Sequence, residues 1–249
     1  MPPKIDARDR LIIALDVPGA REAREVTENL DGVARFFKIG LALQIAPGVE
    51  ELIQHLIRAG KRVFLDYKYY DVPETLRKAV SRAASTGVSF LTIHGPAALI
   101  RGAVEGRGSS DMKLFAVTVL TAMDAGDIAE MGYTHHSVEE LVIFRARKAL
   151  EAGCDGVIAS PLEARQIKAL SAGKLLVVTP GIRPEGYGAD DQKRIATAST
   201  AVSHGADYLV VGRPILASED PRASAERFVR EMQQAFDARE PAGVIERTA

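Results

Sequence analysis

Short, uniformly apolar segments alternate with longer segments of helical periodicity along most of the chain. The runs 11–15, 63–65 and 175–178 contain no polar residue, which is typical of strands buried on both faces. Between such runs, segments such as 20–30 repeat apolar residues every three or four positions, which predicts helices. The pattern predicts strands at 11–16, 35–40, 62–68, 88–94, 113–119, 156–160, 175–179 and 207–212.

Helical patterns separate these strands. They predict helices at 20–30, 48–59, 73–85, 97–104, 138–152, 162–170, 194–203 and 223–236, with a short one near Asp127. In the helix at 138–152 we expect Leu141, Phe144 and Ala149 to share one face.

Eight strand–helix units in 249 residues match the size of a (β/α)8 TIM barrel, whose active site lies at the carboxyl ends of the strands. We therefore predict a single TIM-barrel domain over 1–249. The segment 239–249 has no readable pattern and is compatible with a disordered tail. A doubly wound open sheet is the alternative, but no G-x-G-x-x-G follows the first strand and no linker marks a second domain.

Composition narrows the class of protein. The net charge of −1 gives no indication of a nucleic-acid or anionic-membrane surface. No apolar run approaches the ~20 residues of a membrane span, and the N-terminus has no signal region, so we expect a cytoplasmic protein. Cys154 is the single cysteine and is assigned to packing; with only five scattered histidines, it argues against a structural zinc site.

The most informative polar residues follow the third predicted strand. Asp66, Lys68 and Asp71 come directly after an apolar run, and Pro73 suits the first turn of a helix. Asp66 and Lys68 are two positions apart, so on an extended strand both side chains point to the same side. A lysine held between carboxylates stays charged and can act as a general acid. The alternative is a solvated turn with an ordinary ion pair.

Other strand ends carry polar, glycine or proline residues that a barrel would bring to the same face. These are Asp16, Lys38, His94, Thr121, Pro180, Gly181, Gly212 and Arg213. The loops after strands seven and eight often bind phosphate in this fold. Here Gly212 would let backbone N–H groups approach an anion, and Arg213 can grip two of its oxygens. The glycine-rich segment 184–192 is either a closing lid or an inert surface loop.

The motif D-x-K-x-x-D-V-x-x-T at 66–75 resembles the signature of the orotidine 5′-phosphate decarboxylase family. The resemblance extends over nearly the whole chain, through 15–16, 37–40, 92–95, 152–156, 179–183 and 212–215. It implies decarboxylation of orotidine 5′-monophosphate to UMP and CO₂ in de novo pyrimidine biosynthesis. It also implies no metal, no organic cofactor, and a homodimer with active sites at the interface.

The resemblance assigns a role to individual residues. Lys68 would donate the proton to C6, and Asp66 would lie beside the departing carboxylate. Asp71 and Thr75 would reach into the partner subunit's site. The remaining substrate contacts would be Lys38 and Asp16 at the ribose, Thr121 and Pro180 at the pyrimidine, and Gln192, Gly212 and Arg213 at the phosphate, with Arg183 also counted among the substrate-binding residues.

Two departures and two alternatives accompany the resemblance. Val72 stands where isoleucine is usual and Tyr70 where histidine is common, so we expect tuning rather than loss of activity. Relatives such as 3-keto-gulonate 6-phosphate decarboxylase or hexulose-phosphate synthase use the same motif with Mg²⁺ and an acidic residue near the second strand end, where Lys38 would repel a metal. A catalytically silent phosphate-binding protein is the other alternative, against which the intact motif argues.

Overall fold

The computed structural model describes residues 5–186 and 194–239. In these residues eight parallel strands form a closed barrel in chain order, with the last strand paired to the first. The (β/α)8 prediction is thus confirmed, and the open sheet is excluded because it would leave two strand edges unpaired.

The element bounds follow the predicted order. The strands are β1 Leu11–Ala14, β2 Phe36–Gly40, β3 Arg62–Tyr69, β4 Phe90–Ile93, β5 Lys113–Val117, β6 Gly156–Ile158, β7 Leu176–Thr179 and β8 Tyr208–Val211. The helices are α1 Ala20–Asn29, α2 Leu41–Gln44, α3 Val49–Arg58, α4 Pro73–Ser85, α5 Ala97–Arg107, α6 Ala125–Glu130, α7 Val138–Glu151, α8 Ala164–Leu170, α9 Ala198–Ser203, α10 Arg213–Leu216 and α11 Pro221–Ala238.

Aromatic side chains fill the barrel interior below the strand ends. Phe90 is central, with its ring centroid 4.7 Å from that of Phe36 and 4.5 Å from that of Phe115. The guanidinium of Arg62 lies 4.2 Å from the Phe36 ring centroid, a cation–π contact among these buried rings. A second, larger core lies between the strands and the surrounding helices. The carboxyl ends of the strands therefore stand on a closely packed floor.

Helix α9 is shorter than predicted. The prediction started this helix at Arg194, but it begins at Ala198, and Thr197 caps it by accepting a hydrogen bond from the Thr200 N–H. The residues before Thr197 do not join the helix, because Ala196 pairs with Ile182 in an isolated β-bridge. The prediction also missed α2 and α10, which at four residues each are too short to show a period.

The predicted buried face of α7 was wrong at one position. Leu141 and Ala149 are buried, but Phe144 is 50% exposed, and Val142 and Ala146 complete the face instead. Lys148 lies over the Phe144 ring at 5.9 Å, which shields part of it from water.

Helices α4 and α5 approach each other closely through two glycines. A Cβ on Gly102 would lie 2.7 Å from the Pro73 carbonyl oxygen, and one on Gly106 would lie 2.3 Å from that of Arg77. Both distances are too short for any larger residue. This contact holds the start of α4, and therefore the loop between β3 and α4, against α5.

Two further expectations concern Cys154 and membranes. Cys154 is buried, its Sγ donates to the Leu114 carbonyl at 3.0 Å, and burial raises the pKa of its thiol to about 12, so the packing role is confirmed.

Within the described ranges no helix combines the length and apolarity needed to cross a bilayer. The cytoplasmic location stays a prediction.

Candidate active site

A cavity of about 360 Å³ opens at the carboxyl ends of the barrel strands. This volume lies within the range of small-molecule binding sites. Ten of the residues singled out in the sequence line it: Asp16, Lys38, Asp66, Lys68, Thr121, Pro180, Gly181, Arg183, Gly212 and Arg213. Closure of the barrel brings them together, since they come from the ends of β1, β2, β3, β5, β7 and β8.

Four of these residues form a line of alternating charge across the floor of the cavity. Lys38 Nζ lies 3.5 Å from Asp16 Oδ1 and 3.4 Å from Asp66 Oδ2. Lys68 Nζ lies 2.9 Å from Asp66 Oδ1. The prediction that charges from the first three strand ends meet is confirmed. The line runs from an exposed end at Asp16 to a largely buried centre at Lys38 and Asp66.

Asp66 is the central acid of this line. Burial by itself would raise the pKa of its carboxyl, but the ammonium groups of Lys38 and Lys68 and hydrogen bonds from Lys68 and Thr92 together lower it. Asp66 is therefore held as a carboxylate. A second negative charge placed beside Asp66 would therefore be repelled, because protonation does not readily neutralise the Asp66 carboxylate.

Gly40 leaves room for the Lys38 ammonium. A Cβ at this position would lie 2.9 Å from Lys38 Nζ and 3.4 Å from Asp16 Oδ1. Any side chain here would require the Lys38 ammonium to move. The site therefore depends on a glycine that carries no functional group.

The backbone around Lys68 departs from the extended strand on which the prediction relied. Lys68 has φ +49°, a left-handed conformation that is uncommon outside glycine. The pairing of β3 with β4 shifts between Leu65 and Tyr69, as at a β-bulge. The side chains of Asp66 and Lys68 do converge, but through this irregularity rather than through simple alternation along a strand.

Asp71 and Thr75 lie outside the cavity of their own chain. Both are exposed, and Asp71 Oδ1 accepts the Val72 N–H at 2.6 Å. The interpretation that placed Lys68 between Asp66 and Asp71 is wrong for a single chain. Residues 70–75 are all exposed, and Asp66 instead lies between Lys38 and Lys68.

Two of the predicted phosphate residues, Gly212 and Arg213, come directly after β8. Gly212 directly precedes α10, and a Cβ there would lie 3.4 Å from Asp16 Oδ2. Arg213 begins α10 and is exposed, whereas Arg183 is buried and its Nη1 donates to the Ile182 carbonyl at 3.0 Å. Gln192 lies outside the described residues, as does most of the proposed lid at 184–192.

His94 is the member of the predicted strand-end set that does not line this cavity among the described residues. It is half-buried, with its ring centroid 5.8 Å from that of Tyr70. Burial, reinforced by the positive charge of Arg145, lowers the pKa of its imidazole. His94 is therefore a neutral neighbour of the site.

Comparison with known proteins agrees with this geometry. The family model described as "Orotidine 5′-phosphate decarboxylase / HUMPS family" matches residues 9–228. An orotidine 5′-phosphate decarboxylase of Nitrobacter winogradskyi is 52% identical over 92% of this chain and 95% of its own length. One of Methylococcus capsulatus is 43% identical over 94% and 96%.

Solved structures agree with the sequence relatives. A crystal structure of orotidine 5′-phosphate decarboxylase from Lactobacillus acidophilus has a TM-score of 0.79 at 33% identity, over 90% of this chain and 99% of that one. The chain belongs to the orotidine 5′-phosphate decarboxylase / HUMPS family. Membership in this family agrees with the resemblance read from the motif at 66–75.

Two sets of polar contacts beside the cavity were not predicted, one made by Thr92 and one by Arg194. Thr92 is fully buried in β4; its hydroxyl accepts the Lys68 N–H at 2.9 Å and lies 3.0 Å from Asp66 Oδ1. A threonine inside the apolar run of β4 was the only signal for it. Thr92 lies in the segment 92–95 that carries part of the family resemblance, but no role was predicted for it.

The second unpredicted contact is a buried ion pair behind Thr121. Arg194 Nη1 donates to Glu163 Oε1 at 2.7 Å, and its Nη2 donates to the carbonyls of Val119 at 3.2 Å and Leu120 at 3.1 Å. One guanidinium thus ties the residues before α9 to the chain that leads into Thr121. No sequence pattern indicates a contact between residues this far apart.

Proposed function

We propose that this protein decarboxylates orotidine 5′-monophosphate to UMP and CO₂ in pyrimidine biosynthesis. The observation that carries the proposal is the alternating line Asp16–Lys38–Asp66–Lys68 at the mouth of a barrel of this family. An anionic acid flanked by two ammonium groups suits a substrate that loses a carboxylate and gains a proton at the same carbon.

The proposed mechanism divides the work between Asp66 and Lys68. The substrate carboxylate on C6 would lie against Asp66, whose charge opposes it and favours its departure. The C6–carboxylate bond breaks, CO₂ leaves, and the electron pair stays on C6. The Lys68 ammonium stabilises this developing charge and then transfers a proton from Nζ to C6. The distance of 2.9 Å between Lys68 Nζ and Asp66 Oδ1 supports both groups acting on one carbon.

The remaining cavity residues would position the substrate. Asp16 and Lys38 lie together at the end of β1 and β2, where they can share the ribose hydroxyls. Thr121 and Pro180 line the wall assigned to the pyrimidine. The phosphate would lie on the side of β7 and β8, held by Gln192, Gly212 and Arg213, with Arg183 kept among the substrate-binding residues.

A homodimer with shared active sites is part of the proposal. Asp71 and Thr75 are exposed and are not among the described residues that line their own cavity, as expected of residues lent to a partner. Large apolar side chains are exposed just after the paired strands β2 and β3: Leu41 at 59%, Ile45 at 90%, Tyr70 at 65% and Val72 at 60%. Apolar surface of this kind marks contact sites. A two-fold axis through this patch would place each Asp71 near the partner's site.

The metal-dependent alternative fits this site less well. Its Mg²⁺ would need an acidic residue near the end of β2, where Lys38 places an ammonium 3.4 Å from Asp66 Oδ2. Two ammonium groups on one carboxylate oppose the approach of a divalent cation. We therefore propose that the reaction proceeds without metal or organic cofactor.

A single assay separates the three candidate functions. Turnover of orotidine 5′-monophosphate is followed by ultraviolet absorbance, with and without a chelator. We expect full activity in both conditions. Activity that chelation abolishes and Mg²⁺ restores would favour a metal-dependent enzyme. Binding of UMP without any turnover would favour the silent phosphate-binding protein.

A further inference from the structure

The hydroxyl of Thr92 connects the two residues that the proposed mechanism needs most. Thr92 is fully buried in β4, next to β3, the strand that carries Asp66 and Lys68. Its Oγ1 lies 2.9 Å from the Lys68 backbone nitrogen and 3.0 Å from Asp66 Oδ1. Thr92 lies behind these residues and is not one of the described residues that line the cavity.

The first contact holds an unusual backbone. Lys68 adopts φ +49°, which side-chain-bearing residues avoid unless the surrounding structure imposes it. The register shift between β3 and β4 takes Lys68 out of the regular ladder, and its N–H donates to the Thr92 hydroxyl instead. Without that acceptor the N–H would be left partly buried and unpaired, and the bulge would lose a contact that keeps Lys68 aimed into the cavity.

The second contact sets the orientation of the Asp66 carboxylate. A hydroxyl has one proton, and because Thr92 Oγ1 accepts from Lys68, its own proton can point at Asp66 Oδ1. The competing acceptor, the Leu65 carbonyl, is more distant at 3.5 Å. Oδ1 is also the oxygen that receives the Lys68 ammonium, which leaves Oδ2 for Lys38. Thr92 therefore helps to decide which oxygen faces which lysine.

We propose that Thr92 is a positioning residue for the decarboxylation. It holds the Lys68 backbone and the Asp66 carboxylate in a fixed position relative to each other. It touches neither the substrate nor the proton that is transferred. Its effect is to fix the relative placement of an acid and an ammonium, which a reaction between positioned groups requires. The inference rests on the proposed function.

The test compares two substitutions at this position. Thr92→Val keeps the shape and removes the hydroxyl, whereas Thr92→Ser keeps the hydroxyl. We expect Thr92→Val to lower kcat by about 100-fold, the cost of a small misplacement of catalytic groups. Thr92→Ser should stay within a few fold of the parent protein. KM and the Kd for UMP should change little in both, because Thr92 does not contact the ligand.

A matched control distinguishes positioning from stability. Thr118, directly after β5, is also fully buried, and its hydroxyl donates to the Ile158 carbonyl at 2.7 Å without contacting the charged line. We expect Thr118→Val to lower the Tm as Thr92→Val does, but to leave kcat within a few fold. If Thr92→Val does not fold, Thr92→Ala takes its place, again compared with Thr92→Ser.

A double substitution tests whether Thr92 acts through Lys68. Added to Lys68→Ala, Thr92→Val should cause a smaller fractional loss in single-turnover rate than in the parent protein, because only its contact with Asp66 can still matter. An equal fractional loss in both backgrounds, or a Thr92→Val protein with near-parental kcat, would overturn the inference. Absence of turnover in the parent protein would instead contradict the proposed function, so the two failures are distinguishable.

Discussion

At the scale of single residues, the site depends on backbone positions as much as on charged groups. Lys68 points into the cavity from a left-handed backbone, and Lys38 reaches two carboxylates because Gly40 has no side chain. Asp66 keeps its charge in a buried setting because two ammonium groups offset the burial. The roles of these residues are therefore coupled, and removing one changes the electrostatics of the others.

Lys68→Ala tests the proposed proton donor. The substitution removes the ammonium that would stabilise the C6 carbanion, so kcat should fall by several orders of magnitude, at ~1.4 kcal/mol for each tenfold. Steady-state turnover measures the loss. Lys148→Ala, which removes an exposed lysine paired with Glu151 on α7, is the control and should leave kcat unchanged. Near-normal turnover of Lys68→Ala would remove Lys68 from the mechanism.

At the scale of elements, the loops are connected to one another as well as to their own strands. Arg194 links the residues before α9 to the chain after β5 and to Glu163, which is 5% exposed. Glycines at 102 and 106 allow α4 to lie close to α5, which sets where the loop carrying Asp71 leaves the barrel. These contacts hold the cavity walls in place: Val119 and Leu120, whose carbonyls accept from Arg194, line the cavity themselves.

Arg194→Gln tests the link behind Thr121. Loss of the guanidinium leaves Glu163 buried without its ion partner, and we expect the free energy of unfolding to fall by about 3 kcal/mol. Because the carbonyls next to Thr121 also lose their donor, KM should rise as well. The control is Arg107→Gln, which breaks a comparable pair with Asp155 near the amino end of β6. It should lower stability without changing KM; a KM that is unchanged in both proteins would contradict the link.

The phosphate prediction concerns the loops after β7 and β8. Binding energy from a group remote from C6 can be used to organise the site, in which case a substrate without phosphate loses kcat as well as affinity. We expect the truncated nucleoside to show a lower kcat, partly restored by free phosphite. The closing segment assigned to this role, 184–192, lies mostly outside the described residues.

Saturation kinetics decide between this outcome and simple anchoring. An unchanged kcat for the truncated nucleoside would show that the phosphate only anchors the substrate. In that case Arg213→Ala should raise KM alone. Arg227→Ala, at an exposed position on α11, serves as the control for loss of a surface arginine.

At the scale of the whole molecule, one barrel holds the charged line but not every predicted catalytic residue. The aromatic interior and the closed sheet support the strand ends from below. Asp71 and Thr75 are exposed and do not line the cavity of their own chain, so the proposed site is complete only when a second copy is present. The dimer is thus part of the catalytic proposal rather than an addition to it.

Complementation tests the shared site. Chains carrying Asp71→Ala and chains carrying Lys68→Ala should each be nearly inactive, but mixed dimers would contain one intact site and recover activity. Lys38→Ala mixed with Lys68→Ala is the matched control, since both lysines come from the same chain and no intact site can form. Mixed dimers that demonstrably form yet recover nothing in the first mixture would rule out sharing of Asp71.

The order of strands and helices could be predicted from the sequence because burial on both faces of a parallel strand leaves an uninterrupted apolar run. The charges at the strand ends stood out for the same reason, as polar residues at the limits of such runs. What the tertiary structure alone decided is which of them meet. Three features join residues that are distant in sequence: the Asp16–Lys38–Asp66–Lys68 line, the hydroxyl of Thr92 and the Arg194–Glu163 pair. They form through barrel closure and strand register, and local periodicity carries no information about barrel closure or strand register.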